Sequence, residues 1–332
     1  MNNRAVILRN RPPGIAQAED FVIKNVDVAA PKAGEIVVRN AFLSVEPAMR
    51  GWIADAGNYS APVAIGSVMR ALAVGHVVES RDGDYREGDA VAGWFGWQNY
   101  ATVKADAVVR KVKETDLPIS LSLGVLGING VTAHLALTLI GKPQAGETVL
   151  VSTAAGAVGS AAGQIARIFG CRTVGIAGGP EKVKLCLKEF GYEAAFDYRT
   201  DNFESDITTA CPDGVDIYFD NTAGPISDTV YRHLARGARV IVCGTASVPS
   251  WAQWPTGPRV ERHLLVKRAR MQGFIIFDHM DLYEESVGQL ANWVREGKLR
   301  YREDILDGIE ACPDALAGLY RGENFGKRLI RL

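Results

Sequence analysis

Three glycines, Gly156, Gly159 and Gly163, follow directly behind the apolar run Val149, Leu150 and Val151 in the stretch VLVSTAAGAVGSAAG. An uninterrupted apolar run is what a central parallel strand needs when both of its faces are buried. A glycine-rich turn that then opens a helix aims unpaired N–H groups, and the positive end of the helix dipole, at the space above the strand. A pyrophosphate suits that place. The same residues also make a plain, small strand-to-helix turn. The context favours the phosphate reading, because the turn follows a strand, opens a helix and begins a series of βα units, as a dinucleotide-binding fingerprint requires.

Which dinucleotide is expected depends on the end of the second strand, about 20 residues further on, where an NAD site offers a carboxylate to the ribose 2′-OH. Here the chain reads TVGIAGGPEKVK, with Gly178 and Gly179 at that place and no acid at the strand end. A 2′-phosphate can enter there without like-charge repulsion. Lys182, at the start of the next helix, can reach it, unless it is only a solvent-facing helix lysine. Tyr198, in FDYRT after the next short strand, can add a phenolic donor. NADP(H) is therefore the expected cofactor.

The elements that must position these residues follow from the patterning. The first third is β-rich (GEIVVRNAFLSVEP, AVGHVVESRDGDYREGDAVAGW, QNYATVKADAVVRKV), with hairpin chemistry in RDGD at residues 81–84. From Leu121 the period turns helical in LSLGVLGINGVTAHLALTLI. Strands are then expected at 148–151, 173–176, 216–219, 239–242 and 270–276, with helices after Gly156 and from Pro180. The last stretch holds a helix and a closing strand at 328–332, which can return to the first lobe. The basic cluster ERHLLVKRARMQG reads as a solvated helix face before a buried strand.

A length of 332 residues suits two domains, and 47% hydrophobic with 23% charged residues is globular. A formal net charge of -1 gives no pull toward nucleic acid or anionic membranes. The apolar run near the N-terminus, Ala5 to Leu8, is too short for a membrane span or a signal segment, so a cytoplasmic protein is expected. The five cysteines, at 171, 186, 211, 243 and 312, are scattered singly, without ligand or disulfide spacing.

Along nearly its whole length the chain resembles the zinc-free branch of the medium-chain dehydrogenase/reductase superfamily. The resemblance is to its prostaglandin reductase, leukotriene B4 dehydrogenase and curcumin reductase group of NADPH-dependent alkenal/one oxidoreductases. The segments that carry it are SVEPAMRG, GINGVTAHLAL, AAGAVGSAAGQIA, GIAGGPEKV, PDGVDIYFDNTAG, VCGTAS, MQGFIIFDH and YREDILDGIEACPDALAGLYRGENFGK. The resemblance implies an α/β chain with a Rossmann doubly wound parallel sheet at 123–299. It also implies a discontinuous GroES-like, β-rich catalytic domain made of 1–122 and 300–332, and a homodimer. It places the pyrophosphate on Gly156, Ala157, Val158 and Gly159, and the 2′-phosphate on Lys182 and Tyr198. Asn221 would lie beside the cofactor. Further contacts would come from Cys243, Gly244, Thr245, Ala246 and Ser247, from Phe274, Ile275 and Ile276 at the nicotinamide, and from Asn324.

The departures from the family concern the substrate. Ala48, His134 and Val248 stand where similar proteins have tyrosines, Asn129 where they have proline, and Thr153 where they have a small alanine. Tyr59, in GNYSAPVAIGSV, matches a tyrosine of bacterial members and is the catalytic candidate, although it could equally cover a loop. His134 could face the pocket or be a hydrogen-bonded core histidine. No cysteine precedes residue 171, and His76 in VGHVVES lacks partner ligands, so no metal is expected. A developing carbonyl charge must then be met by hydrogen-bond donors. The expected reaction is hydride transfer to the β-carbon of an α,β-unsaturated aldehyde or ketone. Quinone reduction, or an NADPH-binding redox sensor that has lost catalysis, are the alternatives.

Overall fold

The computed structural model describes residues 2–55, 59–248 and 255–332. The first two residues of the GNYSAPVAIGSV stretch therefore lie outside the described residues, while Tyr59 is within them. The chain divides into two compact units. Of the described residues, those between 2 and 124 and those at 303–332 make up one, and 125–248 with 255–302 the other.

In the first unit β1 (Asn3–Leu8) pairs antiparallel with β2 (Phe21–Val26). A larger sheet holds β3 (Glu35–Ser44), β4 (Ala73–Ser80), β5 (Ala90–Gly93), β6 (Tyr100–Lys104) and β7 (Val108–Lys111), and the short helix α1 (Met49–Ile53) follows β3. β4 and β5 form a hairpin, but its loop runs from 81 to 89 rather than turning tightly at RDGD. Ser80 Oγ and Asp82 Oδ1 accept the amides of Asp82 and Asp84 there, so side chains do the turning. The core is aromatic and aliphatic, with Trp52, Trp97, Phe95, Met49 and Met69 almost wholly buried.

The second unit begins with α2 (Ile128–Ala136). The helical stretch expected from Leu121 is broken, because Gly124 leaves helical geometry between a short turn at 119–123 and α2. A β-carbon at Gly130 would lie 1.9 Å from the Val125 carbonyl oxygen, which is how tightly the start of α2 packs on the chain before it. The parallel strands are β8 (Thr148–Ser152), β9 (Arg172–Ala177), β10 (Ala194–Asp197), β11 (Val215–Asp220), β12 (Leu234–Val242) and β13 (Arg270–Gly273). The helices between and after them are α3 (Ala157–Ile168), α4 (Pro180–Lys188), α5 (Phe203–Ala210), α6 (Gly224–Arg232), α7 (Glu261–Lys267) and α8 (Tyr283–Arg295).

The sheet order is β10-β9-β8-β11-β12-β13, so the chain winds outward to one side from β8, then returns to cross over to β11. That reversal between β8 and β11 is a topological switch point, where open α/β sheets bind ligands beyond the carboxyl ends of their strands. Val149, Leu150 and Val151 are fully buried, as the apolar run demands. The strand expected at 270–276 is shorter, because the chain leaves the sheet after Gly273 and turns at 276–282.

Back in the first unit, β14 (Glu303–Asp307) and β15 (Lys327–Arg331) complete the larger sheet, with α9 (Cys312–Arg321) between them in the chain. β15 pairs antiparallel with β3 and parallel with β14. Among the described residues no helix is long and apolar enough to cross a membrane.

Candidate functional site

The turn from β8 to α3 is built by its own backbone. Thr153 sits at φ 54°, a left-handed conformation that is strained for a β-branched residue. Its carbonyl accepts the Gly156 amide at 2.9 Å. Gly156 caps α3, whose first turn then presents the amides of Ala157, Val158 and Gly159, which have no carbonyl one turn back to receive them. The three glycines divide their work. A β-carbon at Gly159 would lie 2.2 Å from the Thr153 carbonyl oxygen, and one at Gly163 would lie 2.1 Å from Tyr192 Cζ. Those two are required by packing, and Tyr192 returns the contact by donating its hydroxyl to the Gly159 carbonyl at 2.7 Å. Gly156 is less tightly confined, its β-carbon position lying 3.0 Å from Thr153 Cγ2.

Across the switch point, Asn221 ties β11 to β8. Its amide donates to Ser152 Oγ at 2.8 Å and its side-chain nitrogen to the Ser152 carbonyl at 2.7 Å. Beneath it lies a residue that the sequence reading passed over. The Asp220 carboxylate, wholly buried, accepts the amides of Thr222 and Ala223 at 2.9 Å, the Tyr218 hydroxyl at 3.1 Å and the Ser227 hydroxyl at 2.7 Å. These bonds hold Ala223 at φ 57° and so fix the turn that carries Asn221. Burial beside that carboxylate pushes the Tyr218 phenol well above its usual range. A buried acid closing the apolar strand IYFD, just before the small residues NTAG, was the signal available.

Residues 243–247 lie along the same turn. The amides of Cys243 and Gly244 donate to the Asp220 carbonyl, that of Ala246 to Asn221 and that of Ser247 to Thr222, while Ser247 Oγ reaches the Thr222 and Ala223 carbonyls. Burial pushes the Cys243 thiol up to about 12, so it is a neutral thiol at neutral pH. Thr245 belongs to this loop. After β13 the Phe274 amide bonds the Val242 carbonyl, and its buried ring stacks on His279 at 5.1 Å between centroids. Ile275 is half-buried and Ile276 buried, so this segment presents its main chain rather than the Phe274 ring.

At the end of β9, Gly179 (φ 94°) caps α4, with Pro180 at its first position and Lys182 half-buried in its first turn. β10 pairs with β9 in parallel, Asp197 opposite Ala177, and the Tyr198 amide bonds the Ala177 carbonyl at 3.2 Å. Tyr198 therefore arrives beside Gly178, where an added β-carbon would meet Tyr198 Cε1 at 3.0 Å. Glycine there keeps the strand end open.

The remaining candidates divide. His134 lies between α2 and α8, its Nδ1 2.8 Å from Ser286 Oγ and its ring edge-on to Trp293 at 5.5 Å. Burial lowers its pKa, which keeps the ring neutral. Tyr59 belongs to the other unit, half exposed, and its hydroxyl accepts the Trp52 indole N–H at 3.3 Å. Asn324, in the same unit, donates to the Gly326 carbonyl and so braces its own turn. His76 stands in β4. Among the described residues no three His, Cys, Asp or Glu side chains gather as a metal site.

Two family models match the chain: residues 4–111 match the N-terminal domain of oxidoreductase, and residues 157–292 match zinc-binding dehydrogenase. The NADPH-dependent curcumin reductase of Escherichia coli is 42% identical over 335 residues, covering 99% of this chain and 97% of that protein. The chain belongs to the medium-chain dehydrogenases/reductases. Within that family the NADP(+)-dependent 2-alkenal reductase of Nicotiana tabacum is 37% identical, covering 99% of this chain and 97% of its own length. The crystal structure of CurA from Vibrio vulnificus in complex with NADPH superposes with a TM-score of 0.92 at 38% identity, covering 99% of this chain and 98% of that one. The Rossmann sheet and the separate β-rich unit are the two folds of this family.

Proposed function

We propose that the protein is an NADPH-dependent oxidoreductase that reduces the C=C bond of α,β-unsaturated aldehydes and ketones. The observation that carries the coenzyme half is the pairing of the β8–α3 turn with a β9 end that offers Gly178 and Gly179 in place of a carboxylate. The substrate half rests on whole-length similarity to reductases named for curcumin and 2-alkenals.

NADPH, when bound, supplies the hydride. The amides of Ala157, Val158 and Gly159, beyond the Gly156 cap, bind the pyrophosphate, and Lys182 with Tyr198 binds the 2′-phosphate. Asn221 and residues 243–247 line the cofactor beyond the β11 and β12 ends. The main chain at 274–276 meets the nicotinamide, and Asn324 adds a contact. Tyr59 donates a hydrogen bond to the carbonyl oxygen as negative charge develops there, and the Trp52 indole N–H, donating to the phenol oxygen, helps to orient the hydroxyl. The reaction runs without zinc: no cysteine precedes residue 171, and His76 has no ligand set around it among the described residues.

Leu265 and Val266 of α7 are 78% and 55% exposed beside β13, the sheet's edge strand, and this face pairs with a second copy in a homodimer. The five unpaired cysteines fit a reducing, cytoplasmic setting. The test is a spectrophotometric screen of NADPH and NADH oxidation over enals, enones, quinones and simple ketones. Turnover of enals and enones with NADPH supports the proposal. Turnover of quinones alone, or of none, overturns it.

A further inference from the structure

We propose that Arg199 is a third ligand of the 2′-phosphate and sets the preference for NADPH over NADH, a step that rests on the coenzyme reading above. Arg199 follows Tyr198 directly and is exposed. Its guanidinium carbon lies 5.5 Å from the centroid of the Tyr198 ring, so the ring steers the side chain back over the β9 end. A β-carbon at Gly178 would meet Arg199 Nη2 at 3.2 Å, and one at Gly179 would meet Nη1 at 3.9 Å. Two consecutive glycines thus open a notch, and a guanidinium edge covers it. That is where the ribose of a dinucleotide held on the β8–α3 turn presents its 2′ position.

The backbone fixes the approach. β10 stops at Asp197, whose Oδ1 accepts the Arg199 amide at 3.0 Å, turning the chain so that residues 198 and 199 face β9. The carboxylates on these elements are that of Asp197, occupied with this amide, and that of Glu181, exposed on α4. A planar guanidinium can grip a phosphate through two parallel N–H···O bonds, which the point charge of Lys182 cannot. With a free 2′-OH the same guanidinium meets a neutral acceptor and gains little.

The test titrates the full chain, by calorimetry, with adenosine 2′,5′-bisphosphate and with adenosine 5′-monophosphate, which differ only at the 2′ position. Arg199→Ala should weaken the bisphosphate about tenfold and leave the monophosphate unchanged, and Arg199→Lys should fall between. Arg199 is exposed, so neither variant threatens folding. A parent that prefers the bisphosphate, with an Arg199→Ala variant that keeps the full preference, overturns the assignment of Arg199 alone. A parent with no preference overturns the coenzyme reading and the role of Arg199 together.

Discussion

Replacing Lys327 by methionine should destabilise the first unit by about 3–5 kcal/mol. Lys327, on β15, is 4% exposed and spends all three ammonium protons internally, on Ser44 Oγ at 2.7 Å, the Val45 carbonyl at 3.1 Å and Glu46 Oε1 at 2.5 Å. Burial pulls its own pKa down. Glu46, also 4% exposed, follows the end of β3, so the pair bolts the last strand to the first part of the chain. Methionine fills similar space but takes the ammonium away from Ser44, the Val45 carbonyl and the buried Glu46 carboxylate together, and removing one partner of a buried pair typically costs about 3–5 kcal/mol.

Urea unfolding followed by tryptophan fluorescence reads the loss, since Trp52, Trp94 and Trp97 lie in this unit. Adding Glu46→Gln to Lys327→Met should recover most of the loss. A Lys327→Met variant as stable as the parent, or a double variant as weak as the single one, would refute the buried-pair argument.

Other outcomes follow from the same structure. Tyr59→Phe should lower kcat on trans-2-alkenals about a hundredfold while leaving NADPH binding unchanged; parent rates would remove Tyr59 from the chemistry. Gly163→Ala drives a methyl group into the Tyr192 ring and should cost at least about 1–3 kcal/mol in thermal unfolding, because neither α3 nor the wholly buried Tyr192 can give way cheaply. Glu147 is held below the ordinary glutamate value of 4.5, chiefly by its hydrogen bonds to Arg239. This pair contributes stability that is full above the unfolded pKa and lost as pH falls through the folded one. The Tm gap between parent and Glu147→Gln should therefore close as pH drops below about 4.5.

Much of the nucleotide unit is legible in the sequence, since continuous apolar runs and small turns mark strands buried on both faces and the helices between them. The glycine spacing was legible as a pattern but not as a division of labour. That Gly159 and Gly163 serve Thr153 and Tyr192 depends on Tyr192, which lies in the stretch after α4 and reaches back to α3. Asp220 escaped notice because its partners Ser227 and Thr222 are ordinary surface types, and only the fold buries them around a carboxylate. Arg199 stood in plain view in FDYRT, but an arginine after a short strand carries no signal until the pairing of Asp197 with Ala177 fixes which strand end it faces. His134 read as an open question between pocket and core, and its place against Ser286 and Trp293 comes from α8, whose angle to α2 no periodicity encodes.

The central claim is that hydride reaches the β-carbon, and the product of one reaction tests it most directly. With trans-2-hexenal and NADPH, product analysis should find the saturated aldehyde, hexanal. An allylic alcohol, from hydride delivered to the carbonyl carbon, would contradict the account.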